Sequence, residues 1–126
     1  MEVVYEDNHL IVVNKAAGEI VQGDKTGDKP LSEMVKDYLR EKYNKPGNVF
    51  CGVIHRLDRP VSGLVVFAKT SKALARMNEI FQNRKVKKTY WAISRNLPPR
   101  AENTLVDYLT PRERNNKTYV SRTPVD

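Results

Sequence analysis

Two short apolar runs open the chain and predict a pair of β-strands. Residues 3–5 and 10–13 are β-branched, aromatic or aliphatic, and residues 6–8 between them read Glu-Asp-Asn. Side chains of the first kind suit a pleated, half-buried surface, while Asp and Asn favour tight turns. The pattern therefore predicts a hairpin, so that the chain begins in sheet.

Two later segments have a helical period. The first has apolar residues at the i, i+3, i+4, i+7 and i+8 spacing of one helical face, namely Leu31, Met34, Val35, Tyr38 and Leu39. We expect Pro46-Gly47 to end this helix, because proline cannot continue the hydrogen-bond ladder. The second helix follows the capping pair Thr70-Ser71 and ends near Asn83, and its apolar face consists of Leu74, Met77, Ile80 and Phe81.

Residues 51–69, between the helices, are the stretch around which the chain is organised. Two apolar runs flank a charged segment, which predicts a strand, a loop and a second strand. A loop held from both sides presents its side chains while its ends stay fixed. Asp58, which lies between Arg56 and Arg59 in this loop, is therefore the first candidate for a reactive group.

The segment after the second helix changes period again. Residues 85–94 have an aromatic and β-branched centre, which predicts a strand. Tyr90 and Trp91 then point to opposite faces, and we assign Trp91 to the core. Residues 104–109 and 117–121 predict two short strands.

These elements predict the α+β class, with a mixed, largely antiparallel sheet and two packed helices. At 126 residues, and with no repeat or linker, the chain is expected to form a single domain over residues 1–126. A content of 40% hydrophobic and 29% charged residues is typical of folded soluble proteins. No apolar run approaches the roughly 20 residues that cross a bilayer, and the N-terminus lacks a signal-peptide pattern. We expect a cytoplasmic protein with no membrane partner.

Metal chemistry has no support in the sequence. Cys51 is the single cysteine, so it cannot form an internal disulfide, and we assign it to strand packing. With only His9 and His55 beside it, no ligand set has metal spacing.

The charge is concentrated in the middle of the chain. Residues 55–100 hold 11 Lys and Arg against 2 Asp and Glu, so this block alone accounts for the net charge of +7. A dense basic block beside a candidate active loop favours a polyanionic partner, of which nucleic acid is the obvious one. The alternative is a solvated basic face that serves only solubility.

Asp58 has a catalytic and a structural interpretation. Neighbouring cations favour the ionised carboxylate, the form that attacks an electrophilic carbon. The alternative is a turn residue that caps or forms an ion pair. A glycosidase pair is unsupported because the nearest candidate partner, Glu79, lies on a predicted helix. A triad of Ser62, His55 and Asp58 lacks the strand, elbow and helix context of such hydrolases.

A second feature combines lysines with aromatic residues. Lys87 and Lys88 precede Tyr90 and Trp91. Lysines neutralise phosphates, and an aromatic ring on an adjoining strand can stack on an unpaired base. The alternative is that both rings belong to the core.

Residues 55–64, His-Arg-Leu-Asp-Arg-Pro-Val-Ser-Gly-Leu, closely resemble the signature of the RluA-type RNA pseudouridine synthases. Supporting matches cover most of the chain from about Val3 to Ile93: Val12-Val13-Asn14-Lys15 followed by Gly18, Phe67-Ala68-Lys69-Thr70, and Lys88-Thr89-Tyr90. The resemblance implies isomerisation of uridine to pseudouridine in structured RNA, either ribosomal or transfer RNA, without metal or cofactor.

The resemblance also implies roles for single residues. Asp58 matches the nucleophile, which attacks the ribose C1′ or the uracil ring. Tyr90 matches the tyrosine that packs on the target base and helps to remove the C5 proton. Arg56 matches the arginine that holds the place of the flipped-out nucleotide. On charge alone, further RNA contacts are assigned to Arg59, Lys69, Lys85, Lys87 and Lys88.

The chain departs from the family pattern at three points. Ala16 stands where the family has proline, no S4 module precedes the domain, and the later motif with a basic partner for the aspartate is not found before Asp126. We expect the N-terminal portion of a catalytic domain, whose uncovered sheet edge favours self-association. The alternative function is an RNA-binding module that is catalytically inactive because the site is incomplete.

Overall fold

The computed structural model describes residues 1–111 and 117–125. Its elements confirm the α+β class, and no described helix is long and apolar enough to cross a membrane. In chain order they are β1 (Glu2–Glu6), β2 (Leu10–Lys15), α1 (Leu31–Lys42), β3 (Gly52–Val53), β4 (Gly63–Ala68), α2 (Ser71–Gln82), β5 (Tyr108–Leu109) and β6 (Val120–Ser121). The chain divides into two compact units, Met1–Lys88 and Thr89–Asp126. The expectation of a single domain stays a prediction.

A four-stranded sheet in the order β1-β2-β4-β3 organises the first unit. Each of its three strand pairs is antiparallel, which confirms the prediction of a largely antiparallel sheet. The predicted mixed character is not seen, because no parallel pair occurs among the described residues. β1 and β2 form the predicted hairpin, whose turn is fixed by Asp7 Oδ1 accepting the backbone N–H groups of His9 and Leu10. β3 and β4 are the two strands predicted on either side of Asp58.

The core lies between one face of this sheet and α1. β2 turns Ile11 and Val13 inward, and β4 turns Val65 and Phe67 to the same side, because alternate strand residues share a face. The apolar stripe of α1 covers them with Leu31, Val35 and Leu39. These buried side chains confirm the face predicted for α1.

The ends of both helices follow from local hydrogen bonding. α1 has no side-chain cap; the N–H groups of Leu31 and Ser32 donate instead to carbonyls of the preceding segment, residues 20–21. The prediction that Pro46-Gly47 ends α1 is wrong, because the helix ends earlier at Lys42 and Asn44 adopts the left-handed conformation that asparagine tolerates. α2 begins as predicted, with Thr70 Oγ1 accepting the Ala73 N–H at 3.1 Å.

An ion cluster around the largely buried Glu6 carboxylate ties the first strand to the ends of α1 and β4. Glu6 accepts from Lys69 Nζ at 2.7 Å, from Lys42 Nζ at 2.9 Å, from the Tyr38 hydroxyl at 3.0 Å and from the Tyr43 hydroxyl. Burial by itself favours the neutral acid, but these four hydrogen bonds outweigh it and lower the pKa of Glu6 to about 2. The cluster thus holds a permanent carboxylate at this end of the sheet.

The predicted strand over residues 85–94 is wrong. Among the described residues no strand pairs with this segment, so its aromatic and β-branched side chains have no ladder to stabilise them. Trp91 is 97% exposed, which also overturns its assignment to the core. In the second unit β5 and β6 form a two-stranded antiparallel sheet, so the strands predicted over residues 104–109 and 117–121 are present but shorter.

Candidate active site

The segment between β3 and β4, residues 54–62, is called the Asp58 loop below. Leu57 is buried and anchors the loop from its centre to the core. Gly63, where β4 begins, has φ of +140°, a backbone conformation that residues with a Cβ rarely adopt. The loop therefore enters β4 through a bend that requires glycine at position 63, next to the buried side chain of Leu57.

A buried lysine lies beneath the Asp58 loop. Lys15, at the end of β2, is 1% exposed, and its Nζ donates to the carbonyl oxygens of Ala16 at 3.1 Å, Arg59 at 3.0 Å and Val61 at 2.5 Å. Three donors of one ammonium group thus fix the backbone on both sides of the turn after Asp58.

The charge of Lys15 also acts on the site. Burial lowers the pKa of the Lys15 ammonium, while the nearby negative charges of Glu19 and Asp58 oppose that shift. Lys15 is therefore a cation within electrostatic range of the Asp58 carboxylate. It supplies positive charge from below the loop, although it is far from Asp58 in sequence.

This role of Lys15 was not predicted from the sequence, in which the residue contributes only to a motif match. A signal was present in the strand pattern. Ile11 and Val13 mark the inward phase of β2, and Lys15 continues the same phase. A lysine at an inward strand position needs acceptors for its ammonium group, because an unpaired buried charge is costly.

Asp58 is exposed at the outer side of the loop. Its backbone carbonyl accepts the Val61 N–H at 2.9 Å, which closes a turn over residues 58–61. Within residues 1–111 and 117–125, no hydrogen bond or ion pair engages the Asp58 carboxylate. A carboxylate on a fixed backbone whose oxygens are not used by the fold is suited to act on a bound molecule.

Arg59 does not direct its guanidinium at Asp58. Nη1 donates to the Gly18 carbonyl at 3.0 Å, and Nη2 lies 3.1 Å from Asp28 Oδ2 and 3.5 Å from Asp24 Oδ2. The predicted RNA contact of Arg59 stays a prediction, and these internal contacts do not favour it. Arg56, in contrast, is exposed on the same loop.

His55 connects the start of the Asp58 loop to β4 and α2. Its Nε2 accepts the Val66 backbone N–H at 3.0 Å, and its ring stacks on Phe81 with centroids 5.1 Å apart. Burial, followed by the charge of Lys88, lowers the pKa of His55 and favours the neutral ring that this acceptor role requires. Because Nε2 is already occupied, the geometry gives no support to a triad with Ser62.

The remaining predicted cations differ in their surroundings. Lys85, Lys87 and Lys88 are exposed after α2. The side chain of Lys69 is only 11% exposed and is bonded to Glu6, to the Asp7 carbonyl and to the Tyr43 hydroxyl. Its predicted phosphate contact stays a prediction, while its observed contacts hold the fold together.

A basic cavity of about 510 Å³ lies at the end of α2. It is lined by two apolar and two cationic side chains, Phe81, Val86, Arg84 and Lys88. Since Phe81 stacks on His55, this surface adjoins the base of the Asp58 loop. It adds Arg84, which the sequence analysis did not single out, to the cations near the site.

Tyr90 belongs to the second unit and is 60% exposed. An exposed ring is available for stacking, and its partnership with Asp58 stays a prediction. In the described part of the chain, no three His, Cys, Asp or Glu side chains cluster as a metal site requires.

Comparison with known proteins identifies the family. The family model described as RNA pseudouridylate synthase matches residues 9–125. The tRNA pseudouridine synthase C of Vibrio cholerae is 41% identical over 95 residues, which are 75% of this chain and 37% of that protein. The ribosomal large subunit pseudouridine synthase C of Buchnera aphidicola is 35% identical over 97 residues, 77% of this chain and 29% of that protein. The chain thus spans about a third of the length of these relatives.

The fold leads to the same family. The human RNA pseudouridylate synthase domain containing 4 superposes with a TM-score of 0.76 at 22% identity, over 96% of this chain and 48% of that chain. That likeness shows a shared fold, while the match over residues 9–125 extends from the first hairpin through the Asp58 loop to the last described residue. The predicted resemblance is confirmed: the chain belongs to the RNA pseudouridylate synthase family.

Proposed function

We propose that this protein isomerises uridine to pseudouridine in structured RNA, with Asp58 as the nucleophile. The observation that carries the proposal is the exposed Asp58 carboxylate, which the described fold leaves free of hydrogen bonds while Lys15 and Leu57 fix its loop. A nucleophile has to be both unoccupied and held in place, since small misplacements of reacting groups cost large factors in rate.

The chemistry balances without a further reactant. Asp58 attacks the ribose C1′ or the uracil ring, and the bond between C1′ and N1 breaks. The base turns and rejoins C1′ through C5, and the bond that the attack formed to Asp58 breaks, which regenerates the free carboxylate. C5 loses its proton and N1 gains one. The product is an isomer of the substrate, so the reaction consumes neither water nor cofactor.

RNA is the proposed partner because exposed cations lie on this loop and directly after α2, the helix that contacts it. Arg56 lies on the loop itself, and Lys85, Lys87 and Lys88 follow α2, whose Phe81 contacts His55. Phosphate contacts of this kind supply affinity that falls as salt rises. Tyr90 is proposed to pack on the target base. We leave Arg59 and Lys69 out of the RNA surface because of their internal ion pairs.

Ribosomal or transfer RNA is the proposed substrate class, in line with the names of the matching proteins from Buchnera aphidicola and Vibrio cholerae. We also propose a cytoplasmic location, where such RNA is abundant.

The test is release of tritium from RNA labelled at uracil C5. We expect release by the protein and its abolition in Asp58→Ala and Asp58→Asn, because neither side chain can act as the nucleophile. Glu79→Gln is the matched control, since it removes the other acidic side chain of residues 55–100 from the exposed surface of α2. Release that survives in both Asp58 variants overturns the nucleophile assignment.

The same samples test the alternative function. Salt-dependent RNA binding without tritium release from the unmodified protein would identify an RNA-binding module that lacks catalysis. Absence of both binding and release would reject RNA as the partner.

We also propose self-association through the sheet edge. β1 is an outer strand of the four-stranded sheet, and Val4 and Tyr5 on it are each about half exposed. Unpaired backbone groups beside exposed apolar side chains pair readily with another copy. Sedimentation at increasing concentration should show a rising mass; a monomer at all concentrations contradicts the proposal.

A further inference from the structure

Arg59 and Gly18 are joined by two reciprocal hydrogen bonds. The Gly18 N–H donates to the Arg59 carbonyl at 2.7 Å, and Arg59 Nη1 donates back to the Gly18 carbonyl at 3.0 Å. Gly18 has φ of +95°, where a residue with a Cβ is strained. The backbone carbonyl and the guanidinium of Arg59 therefore bond to the N–H and to the carbonyl of the same glycine, Gly18.

The other end of the guanidinium is held by the loop over residues 22–29. Arg59 Nη2 donates to Thr26 Oγ1 at 3.2 Å and lies within ion-pair distance of Asp28 and Asp24. Asp24 in turn accepts the Thr26 N–H at 2.9 Å, so the acceptors are ordered among themselves. Two carboxylates already balance the guanidinium charge, and an RNA phosphate would have to displace them.

These contacts bear directly on Asp58 because Arg59 is its neighbour in the chain. The Arg59 carbonyl accepts from both Gly18 N–H and Lys15 Nζ. The peptide group between residues 58 and 59 is planar, and a trans peptide keeps the two Cα atoms that it joins about 3.8 Å apart. Fixing residue 59 from two sides therefore limits where the backbone of Asp58 can lie.

We infer that Arg59 is a positioning residue for Asp58, and that it holds the Asp58 loop against Gly18 and the acidic loop over residues 22–29 instead of contacting RNA. The inference rests on the proposed function, because the position it fixes is that of the proposed nucleophile. Arg59 touches neither substrate nor reacting atoms; it acts through the peptide that follows Asp58.

Two variants and one control test this role. Arg59→Met removes every side-chain contact, and Arg59→Lys retains one cation that can reach the Gly18 carbonyl or the two aspartates. Arg40→Met is the matched control, because Arg40 also donates to a glycine carbonyl, that of Gly47 at 3.3 Å, and to Asp37 at 2.9 Å. It lies on α1, outside the proposed catalytic and RNA-binding groups.

The rate of tritium release, measured over a range of RNA concentrations, gives kcat and KM separately. We expect Arg59→Met to lower kcat by roughly 10-fold to 100-fold, the size that misplaced reacting groups produce, with KM and the salt slope of RNA binding unchanged. Arg59→Lys should recover most of the lost kcat, and Arg40→Met should leave kcat intact even where it lowers the melting temperature by a similar amount. An unchanged kcat in Arg59→Met overturns the inference.

A direct RNA contact would give the opposite pattern. In that case Arg59→Met should weaken RNA binding and reduce the magnitude of the salt slope by about one unit, as loss of a phosphate contact does, while kcat at saturating RNA stays the same. That result also overturns the positioning role.

Amide hydrogen exchange keeps this test separate from the test of the proposed function. If the unmodified protein releases no tritium, the proposed function fails, but the positioning role still predicts faster exchange at the Gly18 and Val61 amides in Arg59→Met, with little change at Val13 and Val35. Equal exchange in the variant and the unmodified protein overturns the inference whether or not the protein is active.

Discussion

A buried lysine and a largely buried one, Lys15 and Lys69, lie at opposite ends of the same strand pair, and they have different partners. Lys15 ends β2 beneath the Asp58 loop, whereas Lys69 follows β4 at the other end of the pairing between these strands. Lys69 forms an ion pair with Glu6 at 2.7 Å, but Lys15 donates to three backbone carbonyl oxygens. One lysine is neutralised on contact, and the other is held by neutral dipoles.

The difference shows how one residue type serves either the fold or the site. The contact with Glu6, which Lys69 shares with Lys42, cancels part of the charge of Lys69 beyond the cluster. Lys15 has no carboxylate in direct contact among the described residues, and the negative charges of Glu19 and Asp58 act on it at longer range. We interpret the Lys69 end of the sheet as structural and the Lys15 end as the support of the candidate active site.

The largest expected effect is that of Lys15→Met. Three carbonyls would lose a donor, but those of Ala16 and Arg59 would each keep a backbone N–H. The Val61 carbonyl has no other donor among the described residues, and a buried polar group left unsatisfied costs roughly 1–3 kcal/mol. Because the Arg59 and Val61 carbonyls lie in the turn after Asp58, tritium release should also fall by roughly 100-fold. Chemical denaturation and C5 tritium release measure the two effects.

Lys29→Met is the control for removal of a lysine. Lys29 pairs with Asp37 on the surface, where both side chains are about half exposed, so its loss should change stability by less than about 0.5 kcal/mol. Unchanged release in folded Lys15→Met would remove the distinction between the two ends of the sheet.

Lys69→Met should have a smaller effect, confined to stability. Glu6 keeps its hydrogen bonds from Lys42, Tyr38 and Tyr43 but loses one charged donor, a change of about 2 kcal/mol. Release per folded molecule and the salt slope of RNA binding should match the unmodified protein. A salt slope reduced by about one unit would restore Lys69 to the RNA surface and weaken the contrast with Lys15.

Local patterns predicted most of the first unit. The hairpin, both helices and the two strands around Asp58 follow from apolar periodicity and capping residues, because each of these signals acts within a few residues. Thr70 is the clearest case, since it caps α2 as predicted, and its Oγ1 accepts the Ala73 N–H. The end of α1 was misplaced because Asn44, a less obvious stop than Pro46-Gly47, adopts the left-handed turn first.

Long-range contacts could not be predicted in this way. Lys15 meets Arg59 across 44 positions, and Lys69 meets Glu6 across 63. Charge counting assigned Arg59 and Lys69 to RNA, and both assignments stay predictions. Such counting cannot detect the carboxylates that the fold brings close to these two cations. The strand predicted over residues 85–94 fails for a related reason: strand propensity expresses packing against neighbours, which the described chain does not provide there.

The smallest expected effect is the acid dependence of the Lys69 end. The pKa of Glu6 is about 2 in the folded protein, below its ordinary value of 4.5. A carboxylate with a lowered folded pKa contributes stability that is fully present above the unfolded value, and this contribution is lost as the pH falls from about 4.5 towards 2. The free energy of unfolding should therefore differ between the unmodified protein and Glu6→Gln by a constant amount above pH 5, and this difference should shrink below pH 4.5.

Lys15→Met provides the comparison, because Lys15 has no carboxylate in direct contact among the described residues. The difference in the free energy of unfolding between Lys15→Met and the unmodified protein should change little over this pH range. If the free-energy differences of Glu6→Gln and Lys15→Met depended equally on pH in this range, both ends of the sheet would contain a lysine in direct contact with a carboxylate.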